Sequence, residues 1–216
     1  MSSKLDLNSY RVNYEKNREF DFKKIINPFN LFQQWFEEFD NDNFESEVNA
    51  MTLSTINKQG FPKSRVVLLK EFDENGFIFY SNYKSEKGVS IDYNNRVCLS
   101  FFWEEHQRQV IIKGYAEKTS LSKSLTYFNS RPRGSKLGAL VSNQSSVIDS
   151  KKILSDKLIQ LEFKFSDTNI PMPSNWGGYL VTPIEFEFWQ GGKNRLHDRL
   201  RFLKDKNRWI KHRLSP

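Results

Sequence analysis

Three side chains that can carry positive charge recur at every second position in FWQGGKNRLHDRL, residues 188–200: Arg195, His197 and Arg199. In an extended strand alternate side chains share a face, so this spacing predicts a cationic face, with Leu196 and Leu200 opposite and Asp198 interrupting the apolar side. Like charges roughly 7 Å apart repel by about 2 kcal/mol at an effective dielectric near 20, and an anion would remove that penalty. A solvated basic edge strand is the alternative for a strand of this composition. Gly191, Gly192 and Trp189 shift the balance toward a ligand, because paired glycines let backbone approach it closely and an indole offers a flat surface to a planar ring. Two flanking arginines should depress the His197 pKa and favour neutral imidazole, and a bound dianion would push the other way.

Neither a G-x-x-x-x-G-K-[ST] loop nor a G-x-G-x-x-G turn occurs, so any phosphate must be held mainly by side chains. Further candidates are Arg65 and Lys70 in SRVVLLK, Lys84 and Lys87 in YKSEKG, and Arg131 and Arg133 in YFNSRPRGS. Arginine offers a planar fork to phosphate oxygens and lysine a point charge, although each cluster alone also describes a solvated surface. NSRPRGS lies between a helix expected to end near Phe128 and another beginning near Ser135. Ser135 could cap that second helix, whose N-terminal amides favour an anion, and an ordinary turn fixed by Pro132 and Gly134 reads equally well. With three histidines (His106, His197, His212), one cysteine and no H-E-x-x-H, no metal site is expected. No G-x-S-x-G elbow points to a serine nucleophile.

The elements that must position these residues follow from periodicity. A polar, weakly patterned arm over 1–26 is expected to be ordered only against something else, with a single domain over 27–216. NPFNLFQQWFEEFDND reads as a helix capped by Asn27 or Asn30, with Phe29, Leu31, Phe32, Trp35, Phe36 and Phe39 largely on one stripe. Alternation from Ala50 predicts three strands, with turns at Lys58 to Pro62 and Asp73 to Gly76. A short helix over 85–94, a long hairpin turning near Glu104 to Gln107, helices near 120–130 and 150–164, and three strands from Gly177 complete the pattern. Six or more mainly antiparallel strands with inserted helices predict a mainly β fold, a closed barrel with helical additions.

Composition sets the remaining bounds. Nineteen phenylalanines supply much of the core volume in a chain that is 15% aromatic. A net charge of +7 is spread among 26 acidic residues, which suits anionic small ligands better than nucleic acid. Cys98, the lone cysteine, excludes an intramolecular disulfide, fits a reducing compartment, and is expected in the core. No signal-like stretch and no run of about 18 apolar residues occurs, so a cytoplasmic protein with no membrane partner is expected.

RVVLLK (65–70), FYSN (79–82), RQVIIKG (108–114), YFNSRPRGSKLGALVSNQSS (127–146), PSNWGGY and EFWQGGKNRLHDR together resemble the pyridoxine (pyridoxamine) 5'-phosphate oxidase family, in order and in spacing. The resemblance runs from about Arg11 to the terminal RLSP. It implies a homodimer of FMN-binding split barrels, with the flavin at the interface held by residues of both subunits. Carried over by position, it assigns FMN binding to Arg65, Val66, Val67, Leu68, Leu69, Lys70, Tyr80, Ser81, Lys87, Gln109, Gln144, Ser145, Trp189 and Arg199. Substrate binding falls to Lys70, Tyr127, Arg131, Ser135, Arg195, Leu196 and His197, and to the arm segment Arg11, Val12, Asn13 and Tyr14, which resembles a stretch that folds over the substrate.

The chemistry so implied is hydride transfer from the substrate C4' carbon to flavin N5. Reoxidation by O2 then gives H2O2 and pyridoxal 5'-phosphate, with NH3 released from the amine substrate by imine hydrolysis. Arg195 and His197 are expected nearest the reacting carbon, with Lys70, Tyr127, Arg131 and Ser135 on the phosphate. One position departs from the family pattern: Glu86 stands where a basic residue usually precedes Lys87. Pointing inward it would repel the FMN phosphate, with Lys84 as possible compensation, and pointing outward it would leave a missing contact, so weaker FMN binding is expected. A flavin reductase or carrier of the same barrel class, a nucleic-acid-binding module, and a pyridoxal 5'-phosphate storage protein are the rival readings, and the substrate set argues against the first.

Overall fold

The computed structural model describes residues 6–10, 13–14, 19–42 and 45–216. In chain order the elements are α1 (Pro28–Asn41), β1 (Ala50–Ile56), β2 (Pro62–Leu68), β3 (Glu71–Asp73), β4 (Gly76–Asn82), α2 (Glu86–Tyr93), β5 (Arg96–Trp103) and β6 (Arg108–Lys118), followed by α3 (Leu121–Ser130), α4 (Arg133–Val141), α5 (Lys152–Lys164), β7 (Trp176–Gln190), β8 (Asp198–Asp205) and β9 (Arg208–Leu214). Hydrogen bonding orders the strands β2-β1-β5-β6-β7-β4-β3, with β8 pairing β7 and β9. The chain divides into two units: Asn49–Ser100 with Ile112–Ile184, and Met1–Val48 with Phe101–Ile111 and Glu185–Pro216.

In the larger unit, β1 alternates as the sequence requires, burying Met51, Leu53 and Thr55. The first turn is closed by Asn57, whose Oδ1 accepts from Gln59 N and Phe61 N, with Gly60 at φ +83°. The second is closed by Asp73, whose Oδ1 accepts from Asn75 N at 2.7 Å, and only glycine fits at 76: φ is +146°, and a Cβ there would lie 2.1 Å from the Val181 carbonyl oxygen. Four strands stand where three were expected. The chain leaves β2 after Leu68, because Leu69 N donates to Asn49 O and Lys70 N to Ile78 O, both at 2.8 Å. That step turns Leu69 into the core at 3% exposure and leaves Lys70 exposed, a break that an unbroken VVLL run does not announce.

In the smaller unit, Asn27 caps α1 by accepting from Phe29 N at 2.8 Å, and Pro28 follows where a missing N–H is harmless. Phe29 then packs edge-on to Phe186, Phe32 to Phe101 and Trp35 to Phe188 at centroid distances of 5.1, 5.0 and 5.4 Å, and Phe39 stacks on Trp103. Each such burial contributes about 1.5–3 kcal/mol. Phe36 is the stripe member left half-buried. The arm residues around Phe20 to Ile25 lie on β8 and β9: Phe20 N donates to Asp198 Oδ2 at 2.8 Å, and Lys211 Nζ donates to the Phe22 and Ile25 carbonyls.

Two expectations are corrected. Cys98 is half-buried in β5 rather than a core residue, since the alternation of that strand buries Val97 and Leu99 instead. Arg195 and His197 do not share a strand face with Arg199, because β8 begins only at Asp198. Lys193–Arg195 form a short 3-10 turn with Asn194 and Arg195 at φ +54° and +63°, and Leu196 is 72% exposed. Among the described residues, no helix is long and apolar enough to cross a membrane, and no metal-ligating cluster occurs.

Candidate active site

A cleft of about 480 Å³ in the larger unit is lined by Arg65, Val66, Val67 and Leu68 of β2, Lys70, Tyr80 and Ser81 of β4, Lys87 of α2, Tyr127 of α3, Arg131, Gln144 and Trp176. Its floor is aromatic. Tyr80 and Tyr127 stack with centroids 3.9 Å apart, and Trp176 lies nearly parallel to both. Arg131 sits over the Trp176 ring at 4.7 Å. Burial raises the Tyr80 pKa to about 12 and also raises that of Tyr127, so both hydroxyls stay protonated donors.

Four cations reach this cleft, and among the described residues none is paired with a carboxylate. Arg65 Nη1 donates to Thr55 Oγ1 at 2.8 Å and to Leu53 O at 3.2 Å. Lys87 is buried, and its Nζ donates to Ser85 Oγ and Gln144 Oε1 at 3.4 and 3.3 Å. Arg131 Nη1 is buried with no hydrogen-bond partner among the described residues, and Lys70 is exposed at the rim. Burial lowers the pKa of Arg65, Lys87 and Arg131, and Arg65 lowers that of Lys87 further. Arg65, Lys87 and Arg131 are partly desolvated and form no ion pair among the described residues, with Arg65 and Lys87 offset only through space by the Glu86 charge, so the cleft favours an anion, and planar guanidinium forks match phosphate oxygens. The parallel rings beside them offer a face to a planar heterocycle, so this donor set fits a phosphorylated ring cofactor such as FMN.

Lys87 is held by its helix. Ser85 caps α2 with an Oγ that accepts from Gly88 N, and donates that hydroxyl to Asn82 O at 2.6 Å. Glu86, the departure from the family pattern, turns to Lys63 and lies outside the residues that line the cleft. Lys63 is the first cause of its lowered pKa.

The smaller unit holds the other group. Trp189 and His197 rings lie 4.7 Å apart, and Tyr14 meets both edge-on at 5.5 and 5.6 Å. His197 Nδ1 accepts from Gly192 N at 3.1 Å. Its pKa is lowered by burial first, then by Arg195 and Arg199, the direction the two flanking arginines suggested. Arg199 is engaged with Glu187 at 2.6 Å and with Ser215 O at 2.8 Å, and Arg195 is exposed.

Several predicted site residues lie elsewhere. Leu69 is in the core, and Ser145, at φ +74°, accepts from Glu86 N in a neighbouring hollow. Gln109 lies half-buried in β6 of the smaller unit. Ser135 is exposed within α4 and caps nothing, since the helix starts two residues earlier behind Pro132. Asn13 and Tyr14 are described, and Arg11 and Val12 lie outside the described residues. Trp176, Glu187 and Gln190 were not singled out. Trp176 sits beside Gly177 and Gly178 in PSNWGGY, a tryptophan and glycine pair like that in FWQGG, which was the available signal.

The architecture belongs to the split-barrel class of pyridoxamine 5'-phosphate oxidase-like, FMN-binding folds. A crystal structure of PhzG from Burkholderia lata, in complex with tetrahydrophenazine-1-carboxylic acid, superposes with a TM-score of 0.84 at 27% identity, over 89% of this chain and 94% of that one. A pyridoxamine 5'-phosphate oxidase-related, FMN binding protein from Nostoc punctiforme shares the fold at a TM-score of 0.68 and 13% identity, over 89% of this chain and all of that one. Residues 40–165 match the family model for pyridoxamine 5'-phosphate oxidase, and residues 176–216 match that for the pyridoxine 5'-phosphate oxidase C-terminal dimerisation region. The chain belongs to the pyridoxine/pyridoxamine 5'-phosphate oxidase family. It is 57% identical to the protein of that name from Flavobacterium johnsoniae over 97% of this chain and 99% of the relative, and 46% identical to a chloroplastic one from Arabidopsis thaliana over 99% of this chain and 41% of the relative.

Proposed function

We propose that this protein oxidises pyridoxine 5'-phosphate and pyridoxamine 5'-phosphate with O2 to pyridoxal 5'-phosphate, releasing H2O2, in the formation and salvage of the vitamin B6 cofactor. The amine substrate also consumes one water and releases NH3. The observation that carries the reading is the convergence of Arg65, Lys70, Lys87 and Arg131, none of them ion-paired with a carboxylate among the described residues, on the Tyr80, Tyr127 and Trp176 stack, in a chain of this family.

FMN is the cofactor in this reading, and when bound it supplies the two-electron acceptor for the substrate carbon and the route of those electrons to O2. Arg65 and Lys87 take its phosphate, with Ser81, Gln144 and Ser145 as hydroxyl and amide partners, while the backbone of Val66 to Leu69 runs beside its ring. Lys70, Tyr127 and Arg131 anchor the substrate phosphate from the cleft, Tyr127 as an O–H donor, and Ser135 of α4, outside the residues that line it, joins them on the family resemblance alone. Arg195 and His197 stand at the reacting carbon. Neutral imidazole there, with Nδ1 occupied by the Gly192 N–H, leaves Nε2–H as the group offered to substrate. The working form is a homodimer with flavin at the subunit interface, to which Gln109, Trp189 and Arg199 contribute, and Arg11 to Tyr14 fold over the substrate beside Leu196.

The test incubates purified, FMN-supplemented protein with pyridoxine 5'-phosphate in air, recording pyridoxal 5'-phosphate and peroxide together. Equal amounts of both are expected. Flavin binding with neither product from either vitamer would overturn the substrate assignment and leave the flavin-carrier reading in its place.

A further inference from the structure

Gln190, the last residue of β7, is 2% exposed and sits at the centre of a buried network in the smaller unit. Its Oε1 accepts from Arg108 Nε at 2.9 Å, and its Nε2 donates to the carbonyls of His106 and Gln107 at 3.2 and 3.3 Å. Arg108, 5% exposed, donates from Nη1 to Glu38 of α1 at 2.6 Å and lies over the Trp35 ring at 4.4 Å. The Gln107 carbonyl that accepts from Gln190 also accepts from Gly191 N at 2.7 Å. One residue later, Gly192 N reaches His197 Nδ1.

We propose that the Arg108 and Gln190 pair is a positioning device for His197: by fixing Gly191 on the Gln107 carbonyl it sets the Gly192 N–H against Nδ1, so that the neutral ring carries its proton on Nε2. The proposal rests on the reading that His197 works at the reacting carbon. A nitrogen that accepts an N–H bond holds no proton, so this bond selects both the charge state and the tautomer. The amide of Gln190 has one orientation that satisfies its neighbours, because a flipped amide would aim its NH2 at the guanidinium and its oxygen at two carbonyls. Room for the arrangement depends on glycine, since a Cβ at Gly191 would meet Gln107 Cβ at 3.0 Å and Tyr14 Cγ at 3.1 Å. Among the described residues the charged and titratable groups around the imidazole are Arg195 and Arg199, with Tyr14 against the ring and Glu19, Asp198, Arg213 and the Pro216 carboxylate lining the same hollow of about 290 Å³. Glu187 neutralises Arg199, and Asp198 pairs with Arg213 at 3.1 Å. None of these groups bonds Nδ1, which leaves the Gly192 N–H as the directional control.

The experiment is nitrogen NMR of the FMN-loaded protein labelled at its three histidines, with the His197 signals identified by their loss in His197→Asn. Wild type is expected as the single Nε2–H tautomer, titrating below the ordinary value of 6.5. Arg108→Lys keeps the charge facing Glu38 and loses the contact to Gln190. Gln190→Glu keeps the acceptor for Arg108 and loses both donations to carbonyls. Each variant is expected to show mixed tautomers and a higher midpoint. Losing one hydrogen bond should also cost about tenfold in kcat/KM, its acid limb moving up in step with the midpoint. An Nδ1–H wild type, or an unchanged tautomer and midpoint in either folded variant, overturns the proposal. Should Gln190→Glu fail to fold, the wild-type spectrum and Arg108→Lys decide it. A shifted tautomer in the variants with no pyridoxal 5'-phosphate formed by wild type would leave the positioning role standing and bring down the functional reading.

Discussion

Arg131 keeps Nη1 buried without a hydrogen-bond acceptor among the described residues, and its burial lowers its pKa, so it is a desolvated donor that a substrate phosphate would satisfy. A charge-assisted bond to such a group is worth about 1.5–3 kcal/mol, and a lysine keeps the charge while losing the fork. Arg131→Lys is therefore expected to raise KM for pyridoxine 5'-phosphate by roughly 10- to 100-fold with kcat nearly unchanged, measured by steady-state peroxide release. An unaltered KM would remove Arg131 from the phosphate site. Glu86 gives a second case. Its carboxylate pairs with Lys63 at the surface, outside the residues that line the cleft, and its charge still offsets Arg65 and Lys87 through space. Glu86→Arg is expected to tighten FMN binding, with the gain fading as salt rises, in a flavin fluorescence titration. Equal affinities at low salt would show that the position does not sense the cofactor.

Among elements, α2 shows how backbone places a cation. Gly88 packs so close to the preceding turn that a Cβ there would lie 2.2 Å from the Tyr83 carbonyl oxygen, and that oxygen is backbone and cannot swing aside. Gly88→Ala is expected to cost about 2 kcal/mol, lowering Tm by roughly 4–8 °C, and to weaken FMN binding as the helix carries Lys87 away. Gly138→Ala in α4 has open space around it and is the control, expected to be neutral or slightly stabilising. A Gly88→Ala protein with unchanged Tm would mean that α2 shifts freely. Legibility followed the same physics. The Asn27 cap, the Asp73 turn and the alternation of β1 are local decisions, and they could be read from the string. The step at Leu69 depends on tertiary hydrogen bonds to Asn49 and Ile78, and it was not legible; nor were the left-handed Asn194 and Arg195 or the start of α4 behind Pro132, ahead of Ser135. The cleft was legible through Arg65, Lys70, Lys87 and Arg131, which stood out as phosphate candidates by residue type, and the family resemblance assigned each to a ligand. Trp176 was missed because a tryptophan at a strand start reads as core until Tyr80 and Tyr127 are found parallel to it.

At the scale of the whole molecule, the proposed flavin residues fall in two groups. Arg65, Lys87 and their neighbours belong to the larger unit, while Trp189 and Arg199 belong to the smaller one and to the region that matches a dimerisation model. If both subunits grip one flavin, cofactor binding and dimerisation are linked, and each must strengthen the other by the same factor. Dilution then becomes a direct probe. As the protein is diluted through its dimer dissociation range, apparent FMN affinity is expected to fall, and added FMN is expected to push that range to lower protein concentration, both read by fluorescence-detected sedimentation. On the proposed reading Arg65, Lys70, Lys87 and Arg131 would attract the phosphate dianion in a chain of net charge +7, which is the origin of the predicted salt response. A monomer that retains full FMN affinity would confine the cofactor to the cleft of one subunit and release Trp189 and Arg199 from any part in holding it.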